Sequence, residues 1–343
     1  MTDTHEHLDD LRDAAKGVVA SHLAVDAHPD QSLDRALWDE LETLGFIGLC
    51  APESVGGSDG DLLDAATVLT ELTTARIPYA EAAFLAAPAL AEAGLKLPTG
   101  PFTAGWAELT VDGDDVSGQV QRVAYARDCA SLVLLGTGAA PTLYVIDLTA
   151  AGVSITNGEN LAGEPRDTVS LEQVTPIASA QLGEAAVLNW ELRGALSRSV
   201  ASAGVAAAIV DQTVQYVSER VQFGRALIKF QVVQHSVARM AADAAAMQVA
   251  ATSATLAMLE DPSTAEPMVA MAKGETAILS RPVSAAAHQA HGAIGFTQEH
   301  VLGALTARLW AWRDEFGNER YWHQCLGEQA RGQDLWQLIT GQK

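Results

Sequence analysis

Residues 216–244 read YVSERVQFGRALIKFQVVQHSVARMAADA, and the way this stretch joins two helical runs decides the architecture. Arg220 and Arg225 flank the pair Phe223–Gly224, a turn signal, and the helical run that follows is long. The chain carries 21 Lys+Arg against 43 Asp+Glu, a formal net charge of −22. Two arginines gathered round a turn glycine in so acidic a chain ask for an anionic client: a phosphate, a neighbouring carboxylate, or none at all.

Outward from this turn the sequence falls into three textures. After about residue 186 glycine thins out and alanine dominates helical segments near 190–219, 226–259, 264–290 and 299–315, whose short connections predict a C-terminal four-helix bundle over 186–343. Between 99 and 185, PTGPF reads as a linker. LTVDGDDVSGQV, SLVLLG, PTLYVIDL, GVSIT and TVSLEQV then read as short strands, so a small middle β domain is expected, with the acidic run 112–115 as a turn. Residues 1–98 read as an N-terminal α-helical domain, with Leu33, Leu37, Leu41 and Leu44 at helical spacing and LCAPESVGGSDGD as a loop between helices. The expected class is α+β multidomain, and 343 residues suffice for two or three buried cores.

The acidic balance disfavours nucleic acid or an anionic membrane as partner, because both repel such a surface. A small molecule or another protein is favoured. Cys50, Cys129 and Cys325 lie far apart and match neither a metal spacing nor a disulfide framework. The opening MTDTHEHLDDLRD is polar and acidic, and no apolar run of about 18 residues occurs, so the expectation is a soluble cytoplasmic protein with no membrane contact.

Two further stretches join the first. LWDELETLGFIGLCAPESVGG (37–57) carries a helix into a Pro-Glu and Gly-Gly loop, and AHQAHGAIGFTQEH (287–300) is a glycine loop at the end of a helical run. In this order and at this spacing, the three motifs resemble those of the acyl-CoA dehydrogenase family. That resemblance implies FAD as cofactor. It puts Arg220, Phe223 and Gln231 at the FAD diphosphate and adenosine portion, held across a subunit interface, and Gln289, Gly292 and Gly295 in the second cofactor stretch. Ala293 stands where the family usually has a second glycine. Each assignment has a plainer rival: Arg220 paired with Glu219, Arg225 a solvated or inter-subunit charge, His235 and His291 packing residues, and Trp310, Trp312 and Trp322 core or interface aromatics.

The family's reaction removes a proton α to a thioester carbonyl with a carboxylate while the β hydride passes to the flavin. Neither usual position of that base holds a carboxylate here. One falls on Phe316 in the run Glu315-Phe316-Gly317, the other on Gly194, with Glu191 one helical turn away. The family's loop toward the flavin ring and thioester is also lacking, because Trp106-Ala107-Glu108-Leu109-Thr110 runs straight into VDGDDVSG. The expectation is a chain with no catalytic residue of its own, Glu315 being the runner-up. It resembles the short subunit of actinobacterial α2β2 steroid-CoA dehydrogenases, with a larger homologous subunit supplying the base, an acyl-CoA thioester as substrate and an electron-transfer acceptor. The alternatives are a homomeric dehydrogenase using Glu315, a scaffold without flavin, and a flavoenzyme of other chemistry.

Overall fold

The computed structural model describes residues 2–22, 32–138, 140–297 and 300–331. Helices come first, strands follow, and helices return. The N-terminal helices are α1 (Thr2–His22), α2 (Arg35–Thr43), α3 (Leu62–Glu71) and α4 (Ala87–Ala93). Asp34 starts α2 by accepting from Leu37 N at 3.0 Å, and Asp61 starts α3 in a reciprocal capping box with Asp64. Leu37, Trp38 and Leu41 are buried, whereas Leu44 is 49% exposed because α2 has already ended. Residues Glu81–Ala86 form a wide π turn just before Pro88, which has no N–H to continue an ordinary ladder. The loop after α2 is a loop as expected. Gly57 is required there, because a Cβ would lie 2.0 Å from the Ala51 carbonyl oxygen.

The middle of the chain folds as two four-stranded sheets. One has the order β1 (Phe102–Ala107), β4 (Ser131–Gly136), β5 (Thr142–Asp147), β8 (Ala178–Gln181); the other has β2 (Thr110–Asp112), β3 (Asp115–Ala124), β7 (Arg166–Val174), β6 (Val153–Thr156). Only the β1–β4 pairing is parallel among these described strands. The predicted strands are present, and 112–115 is the β2–β3 turn, with Gly113 at φ +63°. Two strands escaped the sequence. PTGPF is not wholly a linker, since β1 begins at Phe102, and β8 is built of small polar residues without β-branched spacing. Val116, Val120, Val123, Leu132, Leu134, Ile146, Val169 and Leu171 form the core of this region.

The chain divides into two compact units between Ser197 and Arg198, inside the long helix α5 (Ala186–Glu219). The second unit continues with the hairpin β9 (Val221–Gln222) and β10 (Arg225–Ala226), then α6 (Gln231–Glu260), α7 (Glu266–His291), α8 (Leu302–Asp314) and α9 (Glu319–Ala330). Helix α7 packs against α6, α8 and α9. Its buried face is mostly Ala, Ser and Thr, which lets the neighbours approach. The hydroxyls are satisfied along their own helix, as in Ser280 Oγ to Thr276 O and Ser284 Oγ to Ser280 O, both 2.7 Å.

One ion pair anchors the strand region. Asp167 is 0% exposed and accepts from Arg127 Nε at 2.9 Å, Arg127 N at 2.9 Å and Gly158 N at 3.2 Å. Asp167 is the buried member, and losing it leaves the Arg127 and Gly158 N–H groups without their acceptor while Arg127 itself is partly exposed. Asp167→Ala is expected to cost about 1–3 kcal/mol of stability, read as a lower urea midpoint in equilibrium unfolding.

Candidate functional site

The arginines that opened the sequence reading lie on the hairpin between α5 and α6. Arg220 N still donates to Tyr216 O at 2.9 Å, and Leu227 N returns to Arg220 O at 2.9 Å, so the hairpin is closed at its base. Its two-residue turn is Phe223 at φ +52° and Gly224 at φ +79°. Both are left-handed, as a tight hairpin of this twist demands. Glycine does this freely; phenylalanine does not. Phe223 nevertheless presents its ring outward, 88% exposed.

Arg225 is accounted for within the hairpin, because its guanidinium lies 4.1 Å from the centre of the Phe230 ring. Arg220 is not. Its guanidinium is exposed and makes no ion pair or hydrogen bond with the described residues. Glu219, the plainer candidate for its partner, accepts instead from Gln215 Nε2 at 3.0 Å. Gln231 is exposed as the first residue of α6, and Phe230 before it offers no side-chain cap to the leading N–H groups. A free guanidinium, a glycine with no neighbour to meet a Cβ, and an uncapped helix start in one segment suit the phosphates of a dinucleotide.

The second predicted stretch is tied to the first by stacking. The Tyr216 ring, one turn before Arg220, lies 4.4 Å from that of His291 at an interplanar angle of 20°. Its hydroxyl donates to His291 O at 3.3 Å, and His300 meets the His291 ring edge-on at 4.8 Å. His291 is therefore a packing residue, as read. His235 is not, since it is exposed on α6. Gln289 is exposed, and Gly292 ends α7 at φ +63° with open space around it, which leaves its backbone approachable. Gly295 is buried; a Cβ would press at 3.0 Å on both His291 Cβ and Leu302 Cδ2, so its glycine is demanded by packing.

The loop after α8 decides the fate of Glu315. Its carboxylate is buried and accepts from Arg198 Nε on α5 at 2.6 Å. Phe316 (φ +54°) and Gly317 (φ +86°) turn the chain sharply, and Trp322 Nε1 holds the Phe316 carbonyl at 2.9 Å. The Arg198 guanidinium also lies 5.5 Å from the Phe316 ring centre. Behind this pair Lys273 is fully buried, its Nζ donating to Trp312 O at 3.1 Å and Arg313 O at 2.7 Å at the C-terminal end of α8. Burial pulls its pKa down to about 7, opposed by the charge of Glu315. Trp312 and Trp322 are buried, as expected, and Arg313 lies over the Trp310 ring at 5.6 Å.

Sequence reasoning missed Arg198 and Lys273. The signal was faint: each is a cation inside an alanine-rich helical run, and such a charge is buried only when paired or hydrogen-bonded. In the first unit, Gly194 is a buried helix residue whose carbonyl accepts from Ser197 Oγ at 2.7 Å. The connection from β1 to β2 there is only Glu108–Leu109.

Two family models match the chain: "Acyl-CoA dehydrogenase, N-terminal domain" over residues 3–96 and "Acyl-CoA dehydrogenase, C-terminal domain" over residues 188–317. The acyl-CoA dehydrogenase IpdE2 of Mycolicibacterium smegmatis is 27% identical over 309 residues, covering 85% of this chain and 88% of the relative. Among solved structures, the Tcur3481–Tcur3483 steroid ACAD (G363A variant) aligns with a TM-score of 0.84 at 25% identity, covering 96% of this chain and 99% of that one. The ChsE4–ChsE5 complex of Mycobacterium tuberculosis contains a chain that aligns with a TM-score of 0.83 at 21% identity, covering 95% and 98%.

Lys273 makes the second unit sensitive to pH. Its folded pKa, about 7, lies below the ordinary lysine value of 10.5, so the unfolded chain binds more protons between the two and stability must rise with pH there. Below pH 7 the full cost of the buried charge is present. Lys273→Met is expected to flatten the rise between pH 7 and 10, read as the difference between parent and variant urea midpoints across that window.

Proposed function

Because the chain belongs to the acyl-CoA dehydrogenase family, FAD-dependent oxidoreductases acting on the CH–CH bond of acyl-CoA thioesters, we propose that it is the supporting subunit of a heteromeric member. In this reading it has three domains, 1–98, 99–185 and 186–343. It lends Arg220, Phe223, Gln231, Gln289, Gly292 and Gly295 to the FAD site, while a larger homologous subunit supplies the base. The substrate class is a steroid-derived CoA thioester, and the electrons leave through an electron-transfer acceptor.

The observation that carries this reading is the Arg198–Glu315 pair. The carboxylate nearest the family's base position is buried and engaged with a cation at 2.6 Å, and the position itself is Phe316. A general base must reach the substrate's α proton with a free lone pair, and this buried carboxylate is already engaged by a buried guanidinium. This disfavours the homomeric alternative that relies on Glu315. The free Arg220 guanidinium disfavours the flavin-less scaffold, since an exposed cation on an acidic chain needs no such hairpin unless something anionic docks there. FAD, when bound, takes up the hydride from the substrate's β carbon. This chain's part is to grip phosphate and present backbone at Gly224 and Gly292.

Exposed apolar side chains on the same segment support a partner. Phe223, Val221 and Val232 on the hairpin and the start of α6, and Val249, Leu256 and Leu259 further along it, all face outward. Apolar side chains clustered at the hairpin and the start of α6, with others further along that helix, suit a surface covered by another chain. The similar structures of the ChsE4–ChsE5 complex and of the Tcur3481–Tcur3483 steroid ACAD support the same reading.

Co-expressed with the product of a neighbouring dehydrogenase-like gene, the chain is expected to form a yellow heterotetramer with fewer flavins than subunits. A flavin-replete, active homotetramer from this chain alone would falsify the proposal. In the complex, Arg220→Gln is expected to weaken FAD retention about 10- to 100-fold, since a charge-assisted phosphate contact contributes about 1.5–3 kcal/mol. Flavin released on dilution measures it. Glu315→Gln is expected to lower the melting temperature yet leave turnover of the assembled complex within about tenfold, whereas loss of a true base costs roughly 10²–10⁴. Collapse of turnover with flavin content intact makes Glu315 the base and overturns the supporting role.

A further inference from the structure

The first unit holds a second cation that its fold leaves unmatched. Arg193, on the opening turns of α5, is half-buried, and its Nη1 is sealed from solvent without a hydrogen-bond partner. Burial draws its pKa downward, yet a guanidinium stays charged, and among the described residues no carboxylate pairs with it. The groups acting on it are two. Glu92 is exposed and makes no ion pair with it, and the Cys50 thiol, pushed up to about 12 mainly by burial, is neutral at ordinary pH.

One helical turn earlier lies Trp190, fully buried, whose indole Nε1 likewise has no partner. Residues three apart share a helix face. Two sealed donors on one face, both without an acceptor among the described residues, leave hydrogen-bonding capacity for a ligand to meet. The neighbouring helix residues Leu192, Ala195 and Leu196 are buried and apolar, so the setting otherwise suits hydrocarbon.

We infer that Arg193 and Trp190 form a receiving site for the carboxylate of an acyl group that ends in an acid. A planar guanidinium fork and one indole N–H offer donors to two oxygens, which matches a carboxylate; a phosphate, with more oxygens to satisfy, would be left short. The inference rests on the acyl-CoA reading for the chain to which that carboxylate is attached, and on the two orphan donors alone for the carboxylate itself.

The test is isothermal titration of the full chain, with any partner that copurifies unaltered in every arm, against adipoyl-CoA, hexanoyl-CoA and free adipate. The two thioesters differ only by the terminal acid. Adipoyl-CoA is expected to bind about 10- to 100-fold more tightly than hexanoyl-CoA. Arg193→Met is expected to erase that preference, Arg193→Lys to restore part of it, and Trp190→Phe, which keeps the aromatic packing, to reduce it several-fold. Circular dichroism checks the fold of each variant. Equal affinity for the two esters in the parent chain overturns the site, as does a preference that survives Arg193→Met, or binding of neither the esters nor adipate. If only free adipate binds, and Arg193→Met abolishes it, the carboxylate site stands while the acyl-CoA reading of this chain fails.

Discussion

The buried pair between Arg198 and Glu315 is the constraint around which the second unit is organised. It ties α5 to the loop after α8, and the sharp turn at Phe316–Gly317 accompanies an inward Glu315 while Trp322 fixes the next carbonyl. Lys273 completes the arrangement by satisfying the last carbonyls of α8, so three charges share one interior region at a net cost that only dense hydrogen bonding offsets. A loop held at both Glu315 and Phe316 has a chemical corollary. The family's acid–base chemistry needs a carboxylate at liberty to meet a substrate, and this one is held.

Much of the architecture was legible because it rests on periodicity. The long helices of the second unit announce themselves through alanine spacing, and most strands through alternation between turn residues. What the sequence concealed is what periodicity cannot encode. Strand β1 hides behind a proline and glycine run, β8 lacks branched side chains, and the π turn before Pro88 is a local response to a missing N–H. The division of the chain inside α5 was also invisible, since a continuous helix carries no compositional break.

The candidate site was legible through its motifs more than through its chemistry. Arg220, Gln231 and Gly292 could be singled out because motif and turn signals coincide, and their exposure agrees with a ligand-facing role. Gly295 shows the limit of that logic: its glycine answers to His291 and Leu302, a packing reason that no spacing reveals. The same holds for Arg198 and Lys273, which no motif marks. Their partners lie 117 and 39–40 residues away in sequence, beyond any local pattern.

The turn at Phe223–Gly224 carries a thermodynamic consequence of its own. A phenylalanine held in the left-handed region costs about 1–2 kcal/mol, and exposing its ring forgoes the burial that would offset that strain. The hairpin is thus a stretch whose free energy is left open within the isolated chain. Whatever closes over it, dinucleotide or polypeptide, binds only the folded form, and by mass action adds RT ln(1 + [L]/Kd) to stability. The durability of this fold is in that sense a property of concentration, set by its surroundings as much as by its sequence.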